Sequence, residues 1–324
     1  MLINKNKLKT SKSTGSLCFK GYQMNSESLF EAIEAEDYNQ VIECLKQGGD
    51  PNGLCKDGYY TPFRSVSGSR KIQNSIEENR KIAETLIELI RYGAKVTSRD
   101  FCDTFFLGNY PIDAIEEAFK VSKKQVIKKF NLSRILHISS NAMAHESDYV
   151  IALFELYERL TSPLDSNALG LALADSFWDT QSGHGSSEYG CLYRESFTPV
   201  VEYLIGRGAN LNVKSRYKEH TSLMRAAMNE YPEVCELLLK HGAGVNEVNE
   251  KGFTALMFVS GKIYSTHMWE PNQEQFEIAK MLLKNNADIS LKANNKRTAL
   301  SYAKSSNNLK VLEIIELAKV AIKT

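Results

Sequence analysis

A short pattern that recurs along this chain limits its fold more than any other feature of the sequence. The segments "TSL", "TAL" and "TAL" begin at Thr221, Thr254 and Thr298, with spacings of 33 and 44 residues. A related second motif also recurs along the chain, written "QGGDPN", "YGAKVT", "RGANLN", "HGAGVN" or "NNADIS" in its different copies. Self-similarity at such a period is the signature of a protein built from stacked repeats.

Each copy of the second motif follows a segment with the apolar spacing of a helix. In "EVCELLLK", the apolar residues Cys235, Leu238 and Leu239 are separated by three and one positions, which places them on one helical face. The Thr residues that open the units suit helix N-caps, and the Gly of the second motif suits a left-handed helix C-cap. The pattern therefore predicts two helices in each unit.

These features resemble the ankyrin repeat, which combines a turn, two helices and a return loop in about 33 residues. The family's T-P-L-H-x-A-A start and G-A-D-V-N finish are present in degenerate form. The resemblance implies an all-α ankyrin-repeat solenoid of about seven to eight helix-turn-helix units, several of them degenerate or interrupted by insertions. The family's His is replaced at each start, which predicts less regular turns; the replacing residues are Arg64, Met224, Met257 and Ser301.

The quality of the repeat pattern predicts four regions. Residues 1–25 form a basic, flexible N-terminal arm, and residues 26–101 hold ankyrin-like units 1 and 2. Residues 102–165 hold divergent helical units 3 and 4, whose helices are predicted at "PIDAIEEAFK" and "SDYVIALFELYERL". Residues 166–324 hold ankyrin-like units 5 to 8.

Three units carry insertions at the predicted turn between their two helices. The uninterrupted unit spans 15 residues from Ala227 to Gly242, whereas the equivalent spans are 26, 26 and 35 residues in the interrupted units. Aromatic residues lie at or near two of these insertions, namely Trp178, Tyr193, Tyr264 and Trp269. They either pack their loops against neighbouring helices or form a contact surface, since Trp and Tyr are enriched in interface hot spots.

Composition excludes several other classes of function. Forty basic and 39 acidic residues leave a net charge of +1, so we expect no nucleic-acid partner. No run of 18 apolar residues is present, which predicts no membrane span. Six sparse cysteines favour reduced thiols in a cytoplasmic protein. Irregular, lysine-rich and asparagine-rich ankyrin proteins resemble bacterial effectors that act in host cells, which would place this chain in the host cytosol.

The sequence also offers little support for catalysis. His184 and Cys191 lie in a Gly/Ser-rich segment, which gives a nucleophile and its base no rigid support. The six histidines are not grouped at ligand spacing. We therefore expect no catalytic site, no metal site and no cofactor.

The resemblance implies a protein–protein interaction module that acts as an adaptor or effector, with contacts at its concave surface, its insertions, or both. We expect a monomer that binds a protein partner. Met228 and Phe253 are the most informative positions, because we expect both side chains to be exposed. The implied contact residues are Tyr217, Lys218, Glu219, Met228, Asn229, Glu250, Lys251 and Phe253, together with the four insertion aromatics. An enzyme with its site in residues 102–196 and a self-associating scaffold are the alternatives.

Overall fold

The expected all-α fold is confirmed: the part of the chain that the structure describes forms helices joined by turns, with no β-strand. A computed structural model describes residues 27–55, 58–68, 75–101, 104–105, 110–126, 147–160, 163–176, 194–216, 218–261, 263 and 271–321. The chain divides into two compact units, Met1–Phe130 and Asn131–Thr324. From here on, unit 1 and unit 2 denote these two compact units and not the individual repeats, and each is described by itself.

In its described residues, unit 1 contains six helices, namely α1 (27–34), α2 (Tyr38–Lys46), α3 (Pro62–Gly68), α4 (Ile76–Arg91), α5 (Ser98–Phe101) and α6 (Ile112–Val126). Helix α4 packs against α2, α3 and α6, and α5 packs against α6. They surround an aromatic core, in which the buried ring of Phe105 lies 4.7 Å from that of Phe101 and 5.6 Å from that of Tyr110.

Unit 2 contains two rows of helices. Helices α8, α10, α12 and α14 pack successively in the first row, and α9, α11, α13 and α15 do so in the second. Each first-row helix also packs against the second-row helix that follows it, and α7 packs against α9. The helices are α7 (Ser147–Leu160), α8 (Ser166–Ser176), α9 (Arg194–Gly206), α10 (Ser222–Met228), α11 (Pro232–Lys240), α12 (Ala255–Ser260), α13 (Gln273–Lys284), α14 (Ala299–Ser305) and α15 (Leu309–Ala321).

The predicted Thr N-caps begin helices of unit 2, and the predicted Gly cap ends one of them. The hydroxyls of Thr221, Thr254 and Thr298 each accept a hydrogen bond from the backbone N–H three residues later, at 3.3 Å. At the other end, Gly242 has a φ of 85°, and the N–H of Ala243 donates to the carbonyl of Leu238 at 3.0 Å. This is the left-handed helix ending for which Gly is preferred, because it has no Cβ to clash.

A ladder of asparagines shows that the repeats keep their register through the insertions. The side-chain oxygen of Asn212 accepts from the N–H of Gly244 at 2.7 Å, 32 residues later in the chain. Asn246 and Asn52 make the same bond to the N–H groups of Asp288 and Lys95, 42 and 43 residues later. The same hydrogen bond thus joins neighbouring repeats whether they are separated by 32 residues or by 42 or 43. The inserted residues are therefore accommodated without a change in the stacking of these repeats.

Parts of the insertions lengthen the second helices, which corrects their predicted placement in the inter-helix turn. Helices α4, α9 and α13 have 16, 13 and 12 residues, whereas α11 in the uninterrupted repeat has nine. A capping box begins α4, with Ser75 and Glu78 each accepting from the other's backbone N–H. Most of the remaining insertion residues, including Trp178, Tyr193, Tyr264 and Trp269, lie outside the described residues.

Within the described part of the chain, no helix combines the length and the apolar character needed to cross a membrane.

Candidate partner-binding surface

A hairpin turn precedes the first helix of four repeats. In each, a backbone N–H at the start of the turn donates to the carbonyl of the residue just before the capping Thr. The distances are 2.9 Å for Cys55–Tyr60, 2.7 Å for Ser215–His220, 3.1 Å for Asn249–Phe253 and 2.9 Å for Ala293–Arg297. These turns project from the ends of the helices, so the side chains at their tips are candidates for contact with a partner.

In unit 2, the described residues at the tips of these turns are held in defined conformations. Lys218 and Glu219 have φ values of 62° and 52°, and Lys296 has a φ of 65°. The side-chain oxygen of Asn249 accepts from the N–H groups of Lys251 and Phe253 at 3.0 and 2.9 Å. A tip whose backbone is fixed in this way loses little conformational entropy when it binds another molecule.

In unit 2, consecutive hairpin turns contact one another and form a continuous surface. The backbone N–H of Asn294 donates to the carbonyl of Lys251 at 3.0 Å, and its side-chain amide donates to the carbonyl of Glu250 at 3.1 Å. An ion pair of 3.7 Å joins Lys214 to Glu247 in the next turn. We call residues 214–216, 218–220, 247–253 and 291–297 together the hairpin ridge.

Below the tips, the residue before the capping Thr packs inward. The ring of Phe253 lies 5.7 Å from that of Phe258, four residues after Thr254, and 5.8 Å from that of Tyr302 in the next repeat. The ring of His220 likewise packs on the next repeat, 5.2 Å from the ring of Phe258. Contact between the residue preceding an N-cap and the fourth helical residue is a hydrophobic staple, and here it also connects neighbouring repeats.

The expected exposure of Met228 and Phe253 is wrong. Their side chains are 8% and 7% exposed, because Phe253 is part of the staple and Met228 ends a helix in which every residue is buried. Asn229 is buried as well. Neither Met228 nor Phe253 therefore provides the exposed anchor that the sequence suggested.

The other predicted contact residues lie at the tips. Glu219, Glu250 and Lys251 are exposed, and Lys218 is half-buried. The hairpin ridge thus brings these four residues together on one surface. Tyr217 falls outside the described residues.

The sequence prediction missed an apolar group at the hairpin turn of unit 1. Tyr59 is 77% exposed and Tyr60 57%, and Leu54 is exposed beside them. Tyr60 occupies the same position as Phe253, but the residue four positions after Thr61 is Ser65, which offers no apolar partner. The sequence signal for this group is the pair of adjacent tyrosines before Thr61, which is followed by Ser65 where Phe258 stands in the later repeat.

Two potentially reactive side chains in unit 2 are held in unreactive states. Burial lowers the pKa of His220 to about 3, assisted by the positive charges of Arg225 and Lys218, so the imidazole is neutral at pH 7. Burial also raises the pKa of the Cys235 thiol, which keeps it protonated and poorly nucleophilic.

No group of three His, Cys, Asp or Glu side chains in the described residues is arranged to hold a metal ion. His184 and Cys191 lie outside those residues.

Comparison with known proteins agrees with the repeat pattern. Residues 191–263 match the family model described as ankyrin repeats (3 copies). A putative ankyrin repeat protein of Fowlpox virus (strain NVSL), FPV031, is 31% identical over 120 residues, which cover 36% of this chain and 32% of the relative. The ankyrin repeat and KH domain-containing protein mask-1 of Caenorhabditis elegans is 37% identical over 94 residues, or 29% of this chain and 3% of the relative. The matched region thus spans a third or less of each of these relatives.

Proposed function

Because this chain contains ankyrin repeats, we propose that it is a non-catalytic protein–protein interaction module, an adaptor or effector, that contacts its partner through its hairpin turns. Stacked repeats present extended surfaces for binding. The observation that carries the proposal is the display of exposed side chains on turns whose backbones are fixed. Tyr59 and Tyr60 are the apolar members of this set, and the tips of the hairpin ridge supply the charged members.

The exposed tyrosines are the strongest candidates for contact anchors. A group of neighbouring exposed apolar side chains often marks a site of contact with another molecule. Tyr is enriched among the few residues that carry most of the free energy of an interface. The backbone N–H of Tyr60 donates to the sulfur of Cys55 at 3.4 Å, and Gly58 provides the left-handed turn with a φ of 74°. The partner therefore meets a preformed surface.

The buried residues of the turns have a different role in this proposal. Phe253 supports the ridge from below, whereas Glu219, Glu250 and Lys251 face the partner. Met228 and Asn229 are buried at the C-terminal end of α10. The imidazole of His220 and the thiol of Cys235 are buried and out of reach of a substrate, which favours binding over catalysis. An enzyme with a site in residues 102–196, a self-associating scaffold and a bacterial effector remain untested predictions from the sequence.

Affinity capture with mass spectrometry tests the role of the exposed tyrosines. The test variant is Tyr59→Gln with Tyr60→Gln, and the control is Leu317→Gln with Val320→Gln, which removes two similarly exposed apolar side chains from α15. Loss of two hot-spot residues weakens binding by about tenfold or more, so we expect the test variant to lose the captured partner and the control to keep it. Capture that is unaffected in the test variant, or lost only in the control, would contradict the proposed surface.

A further inference from the structure

We propose that the hairpin ridge of unit 2 binds an acidic polypeptide segment of a partner protein. The inference rests on the proposed function and adds the chemistry of the partner to it. It is carried by the distribution of charge over unit 2, by the exposure of the ridge lysines and by the hydrogen bonds that fix their backbones.

Positive charge is concentrated on the ridge although the chain as a whole is nearly neutral. The ridge residues 214–216, 218–220, 247–253 and 291–297 include seven basic and three acidic side chains. The second-row helices α11, α13 and α15 together include five basic and six acidic side chains. A surface of one sign raises the local concentration of partners of the opposite sign and orients them on approach. The asymmetry therefore selects an acidic partner for the ridge.

Two internal ion pairs lie within this positively charged surface. Lys214 pairs with Glu247 at 3.7 Å, and Arg216 pairs with Asp175 at 3.9 Å. Both pairs tie the turns to neighbouring structure. Three further lysines are exposed along the second and third turns, at positions Lys251, Lys292 and Lys296. Their ammonium groups can reach carboxylates of a bound segment.

The backbones that carry these lysines are fixed before binding. The N–H of Lys251 donates to Asn249, and its carbonyl accepts from Asn294 at 3.0 Å. The N–H of Lys296 donates to the carbonyl of Ala293 at 2.8 Å. The neighbouring Arg297 lies over the ring of Tyr302, with its guanidinium carbon 4.1 Å from the ring centroid. The entropy lost on binding is then mainly that of the lysine side chains.

An acidic polypeptide fits the ridge better than a nucleic acid does. Glu219 and Glu250 lie among the basic residues at the tips and are exposed. They would repel the closely and evenly spaced phosphates of a nucleic-acid strand. A polypeptide can place neutral residues beside these glutamates and carboxylates beside the lysines.

Two variants with the same change of net charge test the position of the site. The ridge variant combines Lys251→Gln, Lys292→Gln and Lys296→Gln. The control variant combines Lys240→Gln, Lys280→Gln and Lys284→Gln, which removes three exposed lysines from the second-row helices α11 and α13. Circular dichroism melting of both variants checks that the fold is retained.

The probes are a short fluorescent peptide of alternating Glu and Ser, the same peptide with Gln in place of Glu, and a single-stranded oligonucleotide. We expect the Glu peptide to bind the wild-type protein about tenfold more tightly than the Gln peptide, with binding that weakens as salt is added. We expect about tenfold weaker binding of the Glu peptide to the ridge variant, and a change of less than about twofold for the control variant, since each exposed charge contributes modestly.

Equal binding of the Glu and Gln peptides, equal weakening in both variants, or tighter binding of the oligonucleotide would each overturn the inference. The proposed function fails separately, because it depends on capture of a partner through Tyr59 and Tyr60. If that capture succeeds while the peptide result is negative, the chain is an interaction module whose ridge does not select acidic segments.

Discussion

The residue immediately before the capping Thr has opposite environments in the two units of this protein. In unit 1 it is Tyr60, which is 57% exposed; in unit 2 it is Phe253, which is 7% exposed. The two hairpin turns have the same closing hydrogen bond, at 2.9 and 3.1 Å. The fourth residue after the Thr is Ser65 in unit 1 and Phe258 in unit 2. Phe253 packs on Phe258 and is covered as well by Tyr302 of the next repeat.

This comparison shows that one kind of turn can either bury its apolar residue in the repeat stack or leave it exposed. Where an aromatic residue follows in the helix, the staple forms and the apolar residue is buried, as for Phe253 on Phe258. The tip is then left with charged side chains such as Glu250 and Lys251. Where the staple partner is missing, the tyrosine stays at the surface. A different residue near the start of the helix thus accompanies either an exposed aromatic side chain or a buried one in the preceding hairpin.

Alanine substitution at these two equivalent positions should give the largest difference in stability. Phe253→Ala removes a buried ring that packs on two others, so we expect unit 2 to lose about 3 kcal/mol of unfolding free energy. Tyr60→Ala removes an exposed ring and should change the stability of unit 1 by less than about 0.5 kcal/mol. Urea unfolding monitored by circular dichroism measures both effects.

Similar losses of stability in the two alanine variants would show that the staple does not distinguish the turns. The peptide assay adds a second comparison. Tyr60→Ala leaves the hairpin ridge intact, whereas Phe253→Ala removes the support below Lys251 and should weaken binding of the acidic peptide.

The sequence predicts the local elements of this fold well. The spacing of Thr221, Thr254 and Thr298 located the first helices, and their hydroxyls form the expected caps. The sequence "SIEENRKI" also contains a readable capping box at Ser75 and Glu78, which would have shown that the insertion lengthens α4. Such signals depend on residues within a few positions of each other.

The candidate site was harder to predict because its burial depends on distant residues. Phe253 is covered by Tyr302 of the next repeat as well as by its own staple. His220 likewise contacts Phe258 of the next repeat. A family resemblance assigns positions to a surface, but whether they are exposed depends on which side chains the neighbouring repeats contribute. The predicted exposure of Met228 and Phe253 is wrong for this reason.

His220 should make unit 2 sensitive to acid. Its pKa is about 3 in the folded protein, against an ordinary value of 6.5. As pH falls below 6.5, the unfolded chain takes up a proton that the folded protein does not, so the folded state loses stability. The loss should be about 2 kcal/mol at pH 5 and should continue to grow down to about pH 3. Above pH 6.5 the contribution of His220 is constant.

Urea unfolding at several pH values measures this dependence. His220→Gln should reduce the decrease in stability between pH 7 and pH 5, whereas His241→Gln, at an exposed position after α11, should leave it in place. If the wild type and His220→Gln show the same pH dependence, the folded protein accepts the proton on His220 without penalty, and the inward packing described for unit 2 would not hold at that residue.

The smallest expected effect comes from building the missing staple in unit 1. Ser65→Leu places an apolar side chain four residues after Thr61, where it can pack on Tyr60 as Phe258 packs on Phe253. Such a local apolar pair adds about 0.5 kcal/mol, and Ser65→Ala is the control because it removes the hydroxyl without supplying a partner. Acrylamide quenching of tyrosine fluorescence should decrease in the Leu variant relative to the Ala variant. Because the staple draws Tyr60 away from the surface, the Leu variant should also capture less of the partner; undiminished capture with reduced quenching would show that Tyr60 does not contact it.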